Sequence, residues 1–442
     1  MLFLNLVACP GDSIIVAGAP TDSATPTDTG QPDDTEVIGP GDSANPIDSG
    51  DETGDDSGGN NEEDDAAYEA FYDLDTIQQV VIEIEQATIG AMDDEAAYEY
   101  SVHPSDPQLS YFHAILSLNG QALGDVGIRL KGSSTFQYWD AKPSLKVKFD
   151  EWDETIRFAG LKRATFNNMT GDPAMAREVI GYTFWRDAGM AVPRANFAQV
   201  YVAVDGRPAE YYGMFTNLES MDSEWIERNY EDDAGDLWEG NDSSDFNRRG
   251  LSHLELVAGP NDTESLANAR DAVQNHGDDY YTDANVYIDM DQFLDFWAMS
   301  VSIGNRDGYP YNLNDFFVYH DPAEGKMNFT PWGMDETWDT ASPAYWYSLN
   351  GDVAQECIDD TVNCLPKFYA AAAEAVAVYE TSDLPTLAED VFELTEQAMA
   401  DDTRKNWGGY AWTTSDVRAY RDLLAYRIQM YPGWLRARIP IE

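Results

Sequence analysis

The sequence predicts an α+β fold in two lobes, with strands first and helices after. Three observations predict it. From Tyr68 to Glu219, short runs alternate apolar and polar residues, as half-buried strands do. Asn119-Gly120 and Asp205-Gly206 punctuate those runs at hairpin spacing. From about residue 264 the chain reads as helical, apart from one further hairpin. With 442 residues, 43% of them hydrophobic and 12% aromatic, there is material for one large or two ordinary domains. The strand-rich lobe is expected over about 67–220 and the mainly helical lobe over about 221–442.

Taken in order, alternation through Val80–Ile84 predicts a strand, and the run around Asn119-Gly120 predicts a hairpin. Ile128 and Leu130 then alternate with Arg129 and Lys131, which places both cations on one strand face. Leu145, Val147 and Phe149 alternate with Lys146 and Lys148 in the same way. A helix is expected to open at Asp172-Pro173, an N-cap residue followed by a good first helical residue, and to stop at Gly189. Val192-Pro193 forces extension into a second hairpin turning at Asp205-Gly206. Residues 231–263 are polar and irregular. Residues 264–276 and 288–303 read as helices. A third hairpin spans NDFFVYHDPAEGKMNFTP, and helices follow at 367–380, 386–401 and 415–432.

Charge narrows the function. The net charge is −55, from 26 Lys+Arg against 81 Asp+Glu. Such a chain has no cationic face for duplex nucleic acid or an anionic membrane. Residues 1–128 hold 27 acids and no Lys or Arg. Five basic residues then fall within twenty positions: Arg129, Lys131, Lys142, Lys146 and Lys148. Clustered cations in so acidic a chain are the first functional signal, set against the alternative that they merely neutralise a strongly acidic fold.

Leu6-Val7-Ala8-Cys9 resembles a bacterial lipobox, so residues 1–9 read as the remnant of a lipoprotein signal with Cys9 as the lipidation site. Residues 10–66 carry 16 acids, no base and few apolar residues, and read as a disordered, self-repelling linker. An extracytoplasmic protein, lipid-anchored to the bacterial envelope through Cys9 alone, is expected. Cys357 and Cys364, with six residues between them, suit a small disulfide loop in that compartment.

Three segments carry chemistry. The cationic strand pair is followed by Gly132-Ser-Ser-Thr135, a turn whose backbone N–H groups suit phosphate oxygens. Asp307, with Asn312 five positions on, has the spacing of a kinase catalytic loop, in which the Asp accepts a hydroxyl proton and the Asn holds metal. Asp335, after the third hairpin, falls where a second metal ligand belongs in that order. Glu178, on the first long helix, is a candidate partner for one of the lysines.

These blocks resemble the CotH family, named for a spore-coat protein and read as atypical protein kinases. VGIRLKGSST, KPSLKVKFDEW, DPAMAREVIGYTFWRDAGMAVPR, AQVYVAVDGRPAEYYGMFTNLE, GNRDGYPYNLNDFFVYHDP and NFTPWGMDETW occur in family order, across roughly residues 72–436. The resemblance implies an atypical protein-kinase-like two-lobed fold that uses ATP with Mg²⁺ (or Mn²⁺) to phosphorylate Ser or Thr of another protein. Asp307 would be the catalytic-loop Asp that accepts the hydroxyl proton. Lys146 or Lys148 would hold phosphates, paired with Glu178, and Arg129 and Lys131 would line them. Asn217–Glu219 would lie near the purine. Asn312 and Asp335 would hold metal, with Asn314 and Asp315 as alternates. Family members commonly carry Trp-Asp-x-Asp where this chain has Trp332-Gly333-Met334-Asp335. A strand through this segment would keep Asp335 on the face of the missing carboxylate. The alternative reading is a catalytically impaired pseudokinase acting as a surface or coat binding lipoprotein. Nucleotidyl transfer by the same cations is a third. The acidity favours a Lys/Arg-rich protein substrate.

Overall fold

The structure is a computed structural model that describes residues 62–103, 107–132, 134–340, 349–407 and 410–440. Chain contacts divide the protein into Met1–Gly54 and Asp55–Glu442, and every described residue falls in the second unit. Cys9, the linker up to residue 61 and Ser133 lie outside the described residues.

Seven strands close into a barrel. A first helix, α1 (Glu62–Phe71), precedes β1 (Ile77–Ile84), and α2 (Gln86–Val102) separates β1 from β2 (Phe112–Leu118). Then come β3 (Gln121–Lys131), β4 (Ser144–Lys148), β5 (Arg163–Asn167), the helix α3 (Arg177–Asp187), β6 (Ala195–Val204) and β7 (Glu210–Leu218). The barrel order is β1-β2-β3-β4-β5-β7-β6, and the parallel pairing of β1 with β6 closes it. Alternation dictates the inside: Val80, Ile82, Leu116, Ile128, Leu130, Leu145, Val147 and Val200 are all at most 2% exposed. Their outward neighbours include every cation of β3 and β4. Both expected hairpin turns form, with Asn119-Gly120 and Asp205-Gly206 at positive φ, as two-residue turns require.

The second half is mainly helical around its own core. It comprises α4 (Ser223–Asn229), β8 (Leu237–Gly240), β9 (Leu254–Ala258), α5 (Thr263–Gln274), α6 (Tyr280–Ala284), α7 (Met290–Ile303), α8 (Tyr309–Asn312), β10 (Phe316–Asp321) and β11 (Lys326–Pro331). The helices α9 (Asp352–Asp359), α10 (Leu365–Thr381), α11 (Leu384–Asp401) and α12 (Thr414–Arg436) follow. A four-stranded sheet, β11-β10-β8-β9, supports the loops between them. Every residue of α3 from Arg177 to Trp185 is buried, so this helix runs through the interior rather than along a face. The expected α+β architecture is therefore present, strand-rich first and helical after.

Four local readings change. The segment 86–102 is helical. Arg163–Asn167 forms a strand beside β4. The polar stretch 231–263 contains β8 and β9. The helix expected to open at Pro173 starts at Arg177. Met175 takes a left-handed φ of 52°, and Asp172 spends its carboxylate on the backbone N–H groups of Ala174, Ala176 and Arg177. Asp172 thus caps the helix from further upstream than a simple N-cap does.

Candidate active site

Register brings the strand cations together. Arg129 pairs with Lys146 across β3 and β4, and Lys131 with Ser144. Lys131 donates to Asn167 Oδ1 at 2.9 Å, and Asn167 donates to Glu178 Oε1 at 2.7 Å. Glu178 therefore reaches Lys131 through an amide relay, whereas its expected partners were Lys146 or Lys148. Lys131 also lies 5.5 Å from the centre of the Trp332 ring. Burial pushes the Lys131 ammonium down, and Glu178, Glu239 and Asp315 pull it back up. Glu178 is pushed up by burial and lowered by Lys131.

Lys146 differs from its neighbours. Among the described residues it has no hydrogen bond and no ion pair. Burial first, then the Arg129 guanidinium, push its ammonium down to about 7, with Lys131 and Arg163 adding to the effect. Arg129 rests over the Tyr111 ring at 5.3 Å. Lys148, at the far end of β4, instead forms an ion pair with Glu151 at 3.1 Å. Of the two lysines expected on the phosphate side, Lys148 is thus engaged by Glu151, and Lys146 has no hydrogen bond or ion pair among the described residues.

The carboxylates gather on loops of the helical half. Gly304 ends α7 in the left-handed conformation that a helix stop favours. Asp307 follows in the turn before α8, and the Asn312 amide donates to its Oδ1. Asp315, beyond α8, lies close enough to Asp307 to feel its charge. Burial, then Asp307 and Asp335, push the Asp315 carboxyl well above the usual range. Burial and then Glu178 push Asp335 up to about 7. Glu336 is raised by burial and by Asp307. Asp315 and Asp335 remain partly accessible while surrounded by protein mass, as side chains on a cleft floor are.

Two residues outside the expected set complete the geometry. Glu239 on β8 interacts with Lys131, Lys146 and Asp315, so it stands between the cations and the carboxylates. Asp339 gathers three guanidinium groups: Arg306 at 2.8 Å, Arg177 at 3.6 Å and Arg427 at 4.0 Å. It ties the Asp307 loop to α3 and α12. Neither residue carries a local sequence signal, because both act through partners distant in the chain.

Two expectations are corrected. Glu219, expected near a purine, is 1% exposed and accepts from Tyr68 Oη at 2.6 Å, from the Arg194 backbone N–H at 3.0 Å and from Arg228 at 3.1 Å. It anchors α1, and its carboxylate is spent there. The strand expected to carry Asp335 ends at Pro331, and Gly333 turns left-handed with φ 57°. Asp335 consequently packs on Gly171, where an added Cβ would lie 2.0 Å from its Oδ2. Cys357 and Cys364 are joined as a fully buried disulfide between α9 and α10.

The cleft thus sets a lysine without a hydrogen bond or ion pair, beside Arg129 and Lys131, near a group of mutually raised carboxylates, with Glu239 interacting with both sets. Asp307, Asn312, Asp315 and Asp335 offer only hard oxygen donors, which suit Mg²⁺. Among the described residues no three acidic, His or Cys side chains form a metal-binding group by themselves. Mg²⁺ is ordinarily held by one or two carboxylates with substrate phosphates and water, so this donor set fits it.

The inner spore coat protein H of Bacillus subtilis (strain 168) is 23% identical over 266 residues, covering 54% of this chain and 68% of that protein. A crystal structure of the Helicobacter pylori proinflammatory kinase CtkA aligns with 67% of this chain and 94% of that one, at 7% identity and a TM-score of 0.26, a similarity too slight to bear on site or function. The sequence model described as CotH kinase protein matches residues 128–365, from the cationic strands through the Asp307 loop to the disulfide. Since that match takes in both halves of the cleft and more than half of the sequence, the chain belongs to the CotH kinase protein family.

Proposed function

We propose that the protein is an ATP- and Mg²⁺- (or Mn²⁺-) dependent protein kinase that transfers the γ-phosphoryl group to Ser or Thr of another protein at the cell envelope. One observation carries the reading: Lys146, without a hydrogen bond or ion pair among the described residues and depressed to about 7, stands beside Arg129 and Lys131, and Lys131 in turn interacts with the raised carboxylate of Asp315. A triphosphate relieves the first cluster and a divalent cation the second. Bound beside the carboxylates, Mg²⁺ supplies neutralisation of the charge that builds on the transferring group. Asp307, held by the Asn312 amide, accepts the hydroxyl proton of the acceptor. Lys131, fixed through Asn167 to Glu178, grips phosphate oxygens, and Lys146 regains its charge as it does the same.

The substrate is proposed to be Lys/Arg-rich, because a chain of net charge −55 steers basic partners toward itself. Nucleic acid is excluded on the same ground. The envelope location draws support from the lipobox-like run ending at Cys9, the acidic spacer after it, the buried disulfide, and a curated relative named as a spore coat protein. The test is incubation with γ-labelled ATP, Mg²⁺ or Mn²⁺ and a basic acceptor protein. Label must enter the acceptor with the wild type and not with Asp307→Ala, and equal labelling by both rejects the mechanism. Gly333 favours a second reading, a pseudokinase that retains the cleft for binding. ATP-dependent thermal stabilisation without any label transfer would select it.

A further inference from the structure

We propose that Asp315 supplies the metal-binding carboxylate that a side chain at position 333 would otherwise bring, so that Asp315 and Gly333 act as one relocated ligand. This rests on the kinase reading above and concerns how that cleft holds its divalent cation.

The two positions are locked side by side. Phe316 opens β10 opposite Pro331 at the end of β11, and the Trp332 N–H donates to the Asp315 carbonyl at 2.9 Å. A Cβ built on Gly333 would lie 2.1 Å from Asp315 Oδ2 and 2.6 Å from its Cγ. The Asp315 carboxylate therefore occupies the volume into which any side chain at 333 would project. Asp315 interacts with both Asp307 and Lys131, so it sits near the proposed proton acceptor and the strand cations. Asp335 does not fill this place, because its Oδ2 packs on Gly171. Asp315 also holds a left-handed φ of 49°, a conformation that Asp and Asn tolerate better than most residues. Gly333, with φ 57°, must lack a side chain for as long as that carboxylate stands there. A carboxylate at 333 and a carboxylate at 315 are thus mutually exclusive, and this chain carries the second.

The test is a Mn²⁺ titration of the full chain with a non-hydrolysable ATP analogue, following free Mn²⁺ by electron paramagnetic resonance, beside thermal melts without ligand. Asp315→Asn is expected to weaken Mn²⁺ binding at least about tenfold, as losing a metal-site partner does. Gly333→Asp alone is expected to lower the melting temperature through collision with Asp315. Asn at 315 would still fill that volume, so the rescue shortens the side chain: Asp315→Ala combined with Gly333→Asp is expected to restore Mn²⁺ affinity to within a few fold of wild type. If Asp315→Asn binds Mn²⁺ like the wild type, the relocation is wrong and the kinase reading stands. Binding by the double variant but not by the wild type would mean that Asp315 fails as a ligand, and it too rejects the relocation. If neither binds while both melt cooperatively, the metal-dependent reading itself is rejected, and the relocation with it.

Discussion

Lys146→Met removes one charge from the cleft and should move stability and ligand binding in opposite directions. The Lys146 ammonium is depressed from 10.5 to about 7 by burial and by Arg129. Between those two values the unfolded chain holds a proton that the folded chain has released, so the penalty fades as pH rises through the window. It is fully present below pH 7 and gone above about 10.5. At ~1.4 kcal/mol per pH unit the penalty has a ceiling of ~4 kcal/mol at pH 7 and ~1 kcal/mol at pH 9.5. Solvent reaching the cleft reduces the usable part at pH 7 to roughly 2 kcal/mol. Methionine keeps most of the side-chain volume and carries no charge. The variant should therefore be more stable than wild type in urea at pH 7, and the advantage should shrink toward pH 9.5. Its ATP–Mg²⁺ affinity should fall at least about tenfold, the loss of one charge-assisted phosphate contact. A variant less stable than wild type at pH 7, or a stability difference flat with pH, would refute the reasoning.

Asp307→Asn should lower the phosphoryl-transfer rate by about 10²-fold or more while leaving ATP–Mg²⁺ affinity within a few fold, which separates proton acceptance from binding. Glu219→Gln should behave in the opposite way. It strips the charge that faces Arg228 and costs on the order of 3 kcal/mol in urea unfolding, with nucleotide affinity unchanged. Replacing Cys357 and Cys364 by Ser should cost about 2.5 kcal/mol, as expected for opening so short a loop. Activity at 25 °C should persist, because neither cysteine is among the groups proposed to touch ligand.

The cationic strands were legible because two signals coincided there. Ile128/Leu130 and Leu145/Val147 alternate with Arg129/Lys131 and Lys146/Lys148, and period-two burial needs no tertiary information. The helix 86–102 escaped notice because only Ile89, Met92 and Ala96 are buried in it, a thin stripe among acids and alanines. The strands β8 and β9 were hidden for another reason. LWEG has four residues and LELVA is only partly buried, so neither shows clean alternation. Asp307, Asn312 and Glu178 could be named from spacing and family order. Their partners could not. Glu219 meets Tyr68 across 151 positions, and Asp315 meets Gly333 only because β10 and β11 pair. Contacts of that kind belong to the closed fold and leave no periodic trace in the chain.

The most direct measurement is calorimetric titration of ATP into the wild-type chain with Mg²⁺ and, separately, with a chelator. If strand cations and loop carboxylates together grip a metal-bound triphosphate, binding is expected with Mg²⁺ and should weaken at least about tenfold without it, because bare phosphates then face Asp315 and Asp335 unscreened. Equal affinity in the two titrations, or no heat of binding in either, would contradict a cleft built for that ligand.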